Sequence, residues 1–387
     1  MSSMDGIVQL RKDLHRIAEL SGRETRTAER IHQELKAAGA DSIVDGLGGC
    51  GIAAVFHPGG SPSGHSLMFR AELDALPIPE ETNISHASVQ PGVSHKCGHD
   101  GHMAALVGLA QRISARRNEL RSRVALLFQP SEENGAGARA VCADPRFKDL
   151  VTDRIIGWHN LPGYAARTVV LREGIFTSAS RGITVRLHGT TSHAAHPEDG
   201  NSPLSVLAHL LQALPLLPRE CVPFHRAALV TIVGARLGKG AFGTLPGTGT
   251  IQATFRAHRA ADMEAMVRKG EHLIRAVCEA HGIRCDISWE DLFEPTVNDA
   301  GCVADVAAAA VSLKLPVEYL EQPFAWSEDF GVFTTVMPGV LVGIGAGVSC
   351  PQLHHPDYDF PDEILPDVVD LMEHLAFDTG SVGRMTP

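Results

Sequence analysis

The sequence predicts an α/β protein in which one sheet-and-helix domain is interrupted by a smaller α+β domain. Two observations predict it. Short apolar runs bounded by Gly and Pro alternate with helical patterns over residues 1–178 and again over 292–387. Between them, residues 179–291 follow the order β-α-β-β-α-β, the split βαβ pattern of a small ferredoxin-like domain.

Taken in order, Ile7, Leu10, Leu14 and Ile17 fall at helical spacing. A second helix is expected over 27–38, where Gly39 follows as a natural terminator. The runs 51–56, 66–69, 124–128 and 155–158 are short and continuously apolar, as strands buried on both faces are. A further helix is expected over 103–113. In the middle segment, 182–187 reads as a strand. Asn201-Ser202-Pro203 then opens a helix carrying Leu204, Leu207, Leu210, Leu211 and Leu214. Strands follow at 227–233 and 250–256, a long helix at 261–281 and a last strand at 283–289. The α/β style resumes with a helix over 304–313 and a strand over 340–344.

A length of 387 residues, 44% of them hydrophobic and 20% charged, is that of a globular protein with room for more than one core. The 34 Lys and Arg and 45 Asp and Glu are mixed along the chain and leave a net charge of −11. No basic patch is available to release counterions from a nucleic acid. No apolar run approaches the ~18 residues that span a bilayer, and the amino terminus has no basic and apolar signal. A cytoplasmic protein with neither nucleic-acid nor membrane partners is expected. The eight cysteines are scattered without a CxxC pair, so reduced thiols are expected.

The reactive residues fall in the loops just after the apolar runs. They are Arg70-Ala71-Glu72-Leu73-Asp74, Gln129-Pro130-Ser131-Glu132-Glu133, His159-Asn160 and Leu353-His354-His355-Pro356, with His95-Lys96-Cys97-Gly98-His99-Asp100-Gly101-His102 opening a helix. In an open α/β sheet the site lies outside the carboxyl ends of the strands. Loops bringing thiol, imidazole and carboxylate to one rim point to a metal site. Cys97 and His99 can converge on an ion because Gly98 permits a turn, and this donor set suits zinc or a similar divalent ion. Taken singly, each feature has a plainer reading: a buried thiol beside surface histidines, a solvated Glu pair, a core histidine at 159. Their accumulation favours the metal. On extended backbone Glu132 and Glu133 are expected to point apart, one to ligate and one to serve as general base. Trp326-Ser327-Glu328-Asp329-Phe330 reads equally well as a helix cap or as a support for the site.

With these residues in view, the chain resembles the metal-dependent amidohydrolases of the aminoacylase and glutamate-carboxypeptidase superfamily. It is most similar to the branch of hippurate hydrolases, N-acyl-amino-acid amidohydrolases and indoleacetyl-amino-acid hydrolases. The likeness runs through almost the whole chain. It implies a mixed-sheet α/β domain holding two metals, with an inserted ferredoxin-like α+β lid. It further implies that Cys97, His99, Glu133, His159 and His354 are metal ligands, with Cys97 shared by both ions in place of a carboxylate. Glu132 matches the general base, Asp74 a residue that orients a ligand, His193 an oxyanion stabiliser acting across a dimer interface, and Arg256 a lid arginine near substrate. Zinc or manganese is implied, with cobalt or nickel also admitted, and a homodimer through the lid. The chain departs from the family at Glu72, where Asp is usual, at Gly243, where Asn borders the substrate, and at Ile17-Ala18-Glu19, where His-Pro-Glu is usual.

The function this implies is hydrolysis of a small N-acyl amino acid to a carboxylic acid and a free amino acid. A dipeptidase or carboxypeptidase would use the same site, differing in tolerance of a charged amino group on the acyl side. A non-catalytic binding protein would be favoured if Glu132 or a ligand were missing, and all six residues are present.

Overall fold

The computed structural model describes residues 4–377. The chain divides into two units, the first reaching to Phe176 and including Thr296–Gln322 and the residues from Asp329, the second comprising Thr177–Pro295 and Pro323–Glu328.

The first unit is built on an eight-stranded mixed sheet. Its centre is four neighbouring parallel strands, Val124–Gln129, Leu67–Glu72, Arg154–Pro162 and Gly339–Gly347. Val124–Gln129 and Leu67–Glu72 are buried at every residue, which is why their first parts, 124–128 and 67–69, read as unbroken apolar runs rather than alternating ones, while Arg70, Glu72 and Gln129 are polar residues buried within the strands themselves. Gly51–Phe56 and Ser42–Leu47 extend one side antiparallel, and Val169–Leu171 and Val317–Tyr319 complete the other. Because the central strands run the same way, their carboxyl ends open onto one rim, and the loops that follow gather there.

The helix His99–Ala115 is buried without a break from His99 to Ala110 and packs against Met4–Arg16 and Leu365–Phe377. It begins four residues earlier than the expected 103. Gly98, left-handed at φ 91°, turns the chain into the helix, so His99 and His102 stand one turn apart on the first turn rather than in the preceding loop.

The second unit is a four-stranded antiparallel sheet in the spatial order Ala228–Leu237, Thr248–Ala257, Ala179–His188, Arg284–Phe293. Alternate residues Ile183, Val185, Leu187, Ile251, Ala253 and Phe255 pack in one core with Met263, Met266 and Ile274 of the helix Ala260–Ala280. That is the period of two expected of a half-covered sheet. A separate ribbon pairs Ser192–His193 with Thr244–Leu245. Residues 323–328 also belong here, because the Ser178 N–H donates to Trp326 O at 3.0 Å and its hydroxyl to Phe324 O at 2.7 Å. No sequence pattern marks that attachment.

Candidate metal centre

Two triads of donor atoms meet on the rim of the first unit, Cys97 with His99 and His159, and Cys97 with Glu133 and His354, the atoms of each lying within 4.8 Å of one another. Cys97 belongs to both. Its sulfur lies 3.4 Å from His159 Nε2, and His354 Nε2 lies 3.7 Å from Glu133.

The ring orientations follow from the backbone. His99 Nδ1 is 2.8 Å from the carbonyl oxygen of Asp74, and His159 Nδ1 is 2.9 Å from that of Asn160. A carbonyl only accepts, so each Nδ1 carries a hydrogen and each ring turns its Nε2 outward, toward the site. His99 Nε2 is buried and makes no hydrogen bond. The groups it faces are Glu132 at 3.9 Å and Glu133 at 3.8 Å. A buried ring nitrogen without a hydrogen-bond partner, ringed by a thiol and carboxylates, fits a site where a divalent cation takes the place of a proton. Burial pushes His159 down to about 3 and so keeps it neutral. Burial acts against His99 as well, but its hydrogen bond to Asp74 and the charges of Glu72, Glu133 and Asp74 outweigh that and push it up to about 10. The anionic surroundings that hold a proton there would equally attract a dication.

Glu132 and Glu133 do not diverge as extended backbone would require. Ser131 has φ 53°, the Gly135 N–H closes back to Glu132 O at 2.8 Å, and the chain turns where strand continuation was expected. Both carboxylates consequently reach toward His99, and Glu133 alone also reaches His354. Three consecutive amides of this turn end on two buried carboxylates. Ser131 N–H donates to Glu24 at 2.8 Å, and the N–H groups of Glu132 and Glu133 donate to the two oxygens of Asp74 at 3.1 and 3.0 Å. Asp74 also accepts the Ser21 hydroxyl at 2.7 Å. Asp74 thus fixes His99 with its carbonyl and the Glu132-Glu133 turn with its side chain. Despite burial, the His99, Ser21 and Glu133 contacts hold its carboxyl below the usual range.

Sequence reading missed several supports. Glu72 accepts His102 Nδ1 at 2.6 Å, His102 Nε2 meets Asn160 Oδ1 at 2.6 Å, and Asn160 donates to Tyr358 Oη at 2.7 Å. A Cβ on Gly98 would stand 2.7 Å from Asn160 Oδ1 and 2.8 Å from Tyr358 Oη, so this line of side chains forms the floor under the Cys97-Gly98-His99 turn. Asp329, read as a cap or a support, lies before the helix Gly331–Thr334, and its side chain reaches instead to the first turn of the helix Gly137–Ala143 and to the central strands. It accepts from Arg70 at 2.8 Å, from Gln129 and from Ala138 N–H at 2.9 Å, tying the ends of two central strands together. Glu24 had no motif to announce it. The two remaining sequence candidates lie in the second unit. His193 Nδ1 accepts the Ala195 N–H at 3.0 Å, and Arg256 donates to Ala325 O and Ser327 Oγ, both at 3.1 Å.

The sequence matches the description of peptidase family M20/M25/M40 over residues 68–378. It is 31% identical to the N-acetyl-L-cysteine deacetylase of Bacillus subtilis over 91% of this chain and 83% of that one. It is 29% identical to the hippurate hydrolase of Campylobacter jejuni, covering 95% of each. The fold superposes on the Bacillus subtilis YXEP protein, described as a dinuclear metal binding peptidase of this family. The TM-score is 0.80, with 25% identity and 97% of each chain covered. No helix among the described residues is long and apolar enough to cross a membrane. The chain therefore belongs to peptidase family M20/M25/M40 and is a metal-dependent amidohydrolase.

Proposed function

We propose that this enzyme hydrolyses the amide bond of a small N-acyl amino acid, with Cys97, His99, Glu133, His159 and His354 holding two divalent ions and Glu132 acting as general base. The observation that carries the reading is the sharing of Cys97 between two donor triads with Glu132 beside them. When bound, the ions would polarise the scissile carbonyl and acidify a water molecule. Thiolate and imidazole donors favour zinc by softness, while the family resemblance also admits manganese, cobalt or nickel. Glu132 takes the proton of the attacking water on its carboxylate and returns it to the leaving nitrogen. Asp74 and Glu24 hold the turn that aims it. The second unit is read as a ferredoxin-like lid over residues 179–291, through which a cytoplasmic homodimer would form. Since His193 Nδ1 accepts a backbone N–H, its neutral ring carries the proton on Nε2 and can donate it to the tetrahedral oxyanion. Arg256 would lie near the substrate.

The test is amine release from hippurate, N-acetyl-methionine, N-acetyl-cysteine, indoleacetyl-alanine, an N-acyl-glutamate and several dipeptides, with added zinc or manganese beside a chelator-treated control. Metal-dependent cleavage of the N-acyl compounds over the dipeptides is expected. Preference for dipeptides would replace the reading with a peptidase using the same residues.

Glu24 supplies a prediction of its own. It is fully buried and accepts the N–H groups of both Ser131 and Gly22. Glu24→Ala is expected to lower kcat by about 10²-fold, the cost of misplacing a catalytic group by ~1 Å, while KM and metal content stay near the parent's. Glu24→Gln keeps an oxygen acceptor and should recover most of the loss. Equal effects of the two variants would show that the turn does not depend on this bond.

A further inference from the structure

Lys96 precedes the shared ligand Cys97 and is completely buried, where an ammonium persists only if paired. Its Nζ donates to Glu80 and, at 2.7 Å, to the carbonyl of Tyr358. Its own carbonyl accepts the N–H of His354 at 2.8 Å. The loop that carries His354 is thus tied to Lys96 at both the backbone and the side chain. Glu80 is in turn held by His15 Nε2 at 2.8 Å, whose Nδ1 meets Asp100 at 2.8 Å, so the lysine has a rigid counter-ion.

His354 needs such anchoring. It sits at φ 65°, a left-handed conformation that a residue with a Cβ adopts only when its surroundings impose it. Its side chain is 52% exposed, so packing does little to fix the ring. The other histidine ligands are held differently, His99 by the carbonyl of Asp74 and His159 by that of Asn160. Neither of those bonds involves Lys96.

We propose that Lys96 is a positioning residue for His354, and that it sets the occupancy of one ion, that of Cys97, Glu133 and His354, without setting that of Cys97, His99 and His159. The inference rests on the two-ion reading above, but it is read from bound metal and not from turnover, so failure to find a substrate leaves it intact.

The experiment loads the purified full chain and its variants with Co²⁺, dialyses them, and measures cobalt per chain, the thiolate-to-cobalt charge-transfer band and the circular dichroism spectrum. Two ions are expected in the parent. One ion is expected in both Lys96→Met and His354→Ala, with the charge-transfer band kept, because Cys97 still binds the remaining ion. A buried acid left without its cation can unfold a protein. For that reason Lys96→Met is paired with Lys96→Met/Glu80→Gln, in which the partner is neutralised as well. Two ions held as tightly as in the parent by a folded Lys96→Met protein would overturn the proposal. So would loss of both ions together from a folded variant, or unfolding of the single and the double variant alike, since Lys96 would then support the fold at large. A parent that binds fewer than two ions would overturn the two-ion reading itself, and this proposal with it.

Discussion

Glu132→Gln is expected to retain two ions per chain and to lose about 10²–10⁴ in kcat, the range contributed by a positioned proton acceptor. The substitution keeps the shape of the side chain. It leaves the backbone N–H of Glu132 on Asp74, a bond made by the main chain and indifferent to what lies beyond Cβ. Glu133, one residue on, keeps its own N–H on the other oxygen of Asp74 and its reach toward His354. What disappears is an anionic oxygen able to take a proton. Metal analysis and single-turnover kinetics on the same preparation separate the two properties. A variant with two ions and near-normal turnover would remove Glu132 from proton transfer, and Glu133, at a similar distance from His99, would be the next carboxylate to examine.

The central sheet was legible because burial on both faces leaves a strong imprint. The runs 124–128 and 67–69 carry only apolar side chains, and the charged residues begin directly after them, Arg70 and Glu72 while still within the buried strand Leu67–Glu72. Sequence pattern alone places candidate donors in the loops after these runs and leaves His159 and the His354-His355 pair undecided; the choice of Cys97, His99, Glu133, His159 and His354 as the ligand set is what the family resemblance implies. The supports were not legible. Glu24 acts through a backbone amide of Ser131, 107 residues away. Lys96 acts in part through a carbonyl that any residue would possess, and its Nζ ends on the main-chain carbonyl of Tyr358, 262 residues away. Bonds made by the main chain leave no choice of side chain for a pattern to register. The turn at Ser131 was misread for a related reason. A positive φ at a residue other than Gly, Asn or Asp has no sequence signal, and alternation was assumed across a place where the strand had already ended. Gly98 was the opposite case, since its neighbours Asn160 and Tyr358 leave no room for a Cβ.

Cys97→Ala is expected to remove both ions rather than one, and all measurable amidohydrolase activity with them. Every other donor of the two triads serves a single triad, whereas the Cys97 sulfur is common to both. Deleting it leaves His99 and His159 on one side and Glu133 and His354 on the other, two donors apiece where a catalytic zinc ordinarily has three protein ligands. The methyl group of alanine fits the space of a 7% exposed thiol, and the Gly98 turn beside it is held by the packing of Asn160 and Tyr358. The fold should therefore persist, as the circular dichroism spectrum and Tm of the metal-free proteins would check. Cys97→Asp separates charge from mere volume. A carboxylate can bridge two cations as a thiolate can, so this variant should regain both ions, although oxygen donors shift the preference away from soft metals. Elemental analysis after dialysis decides between the possibilities. Full occupancy in Cys97→Ala would take the thiol out of the ligand set, and a single remaining ion would mean that one triad has a further donor beyond these five residues.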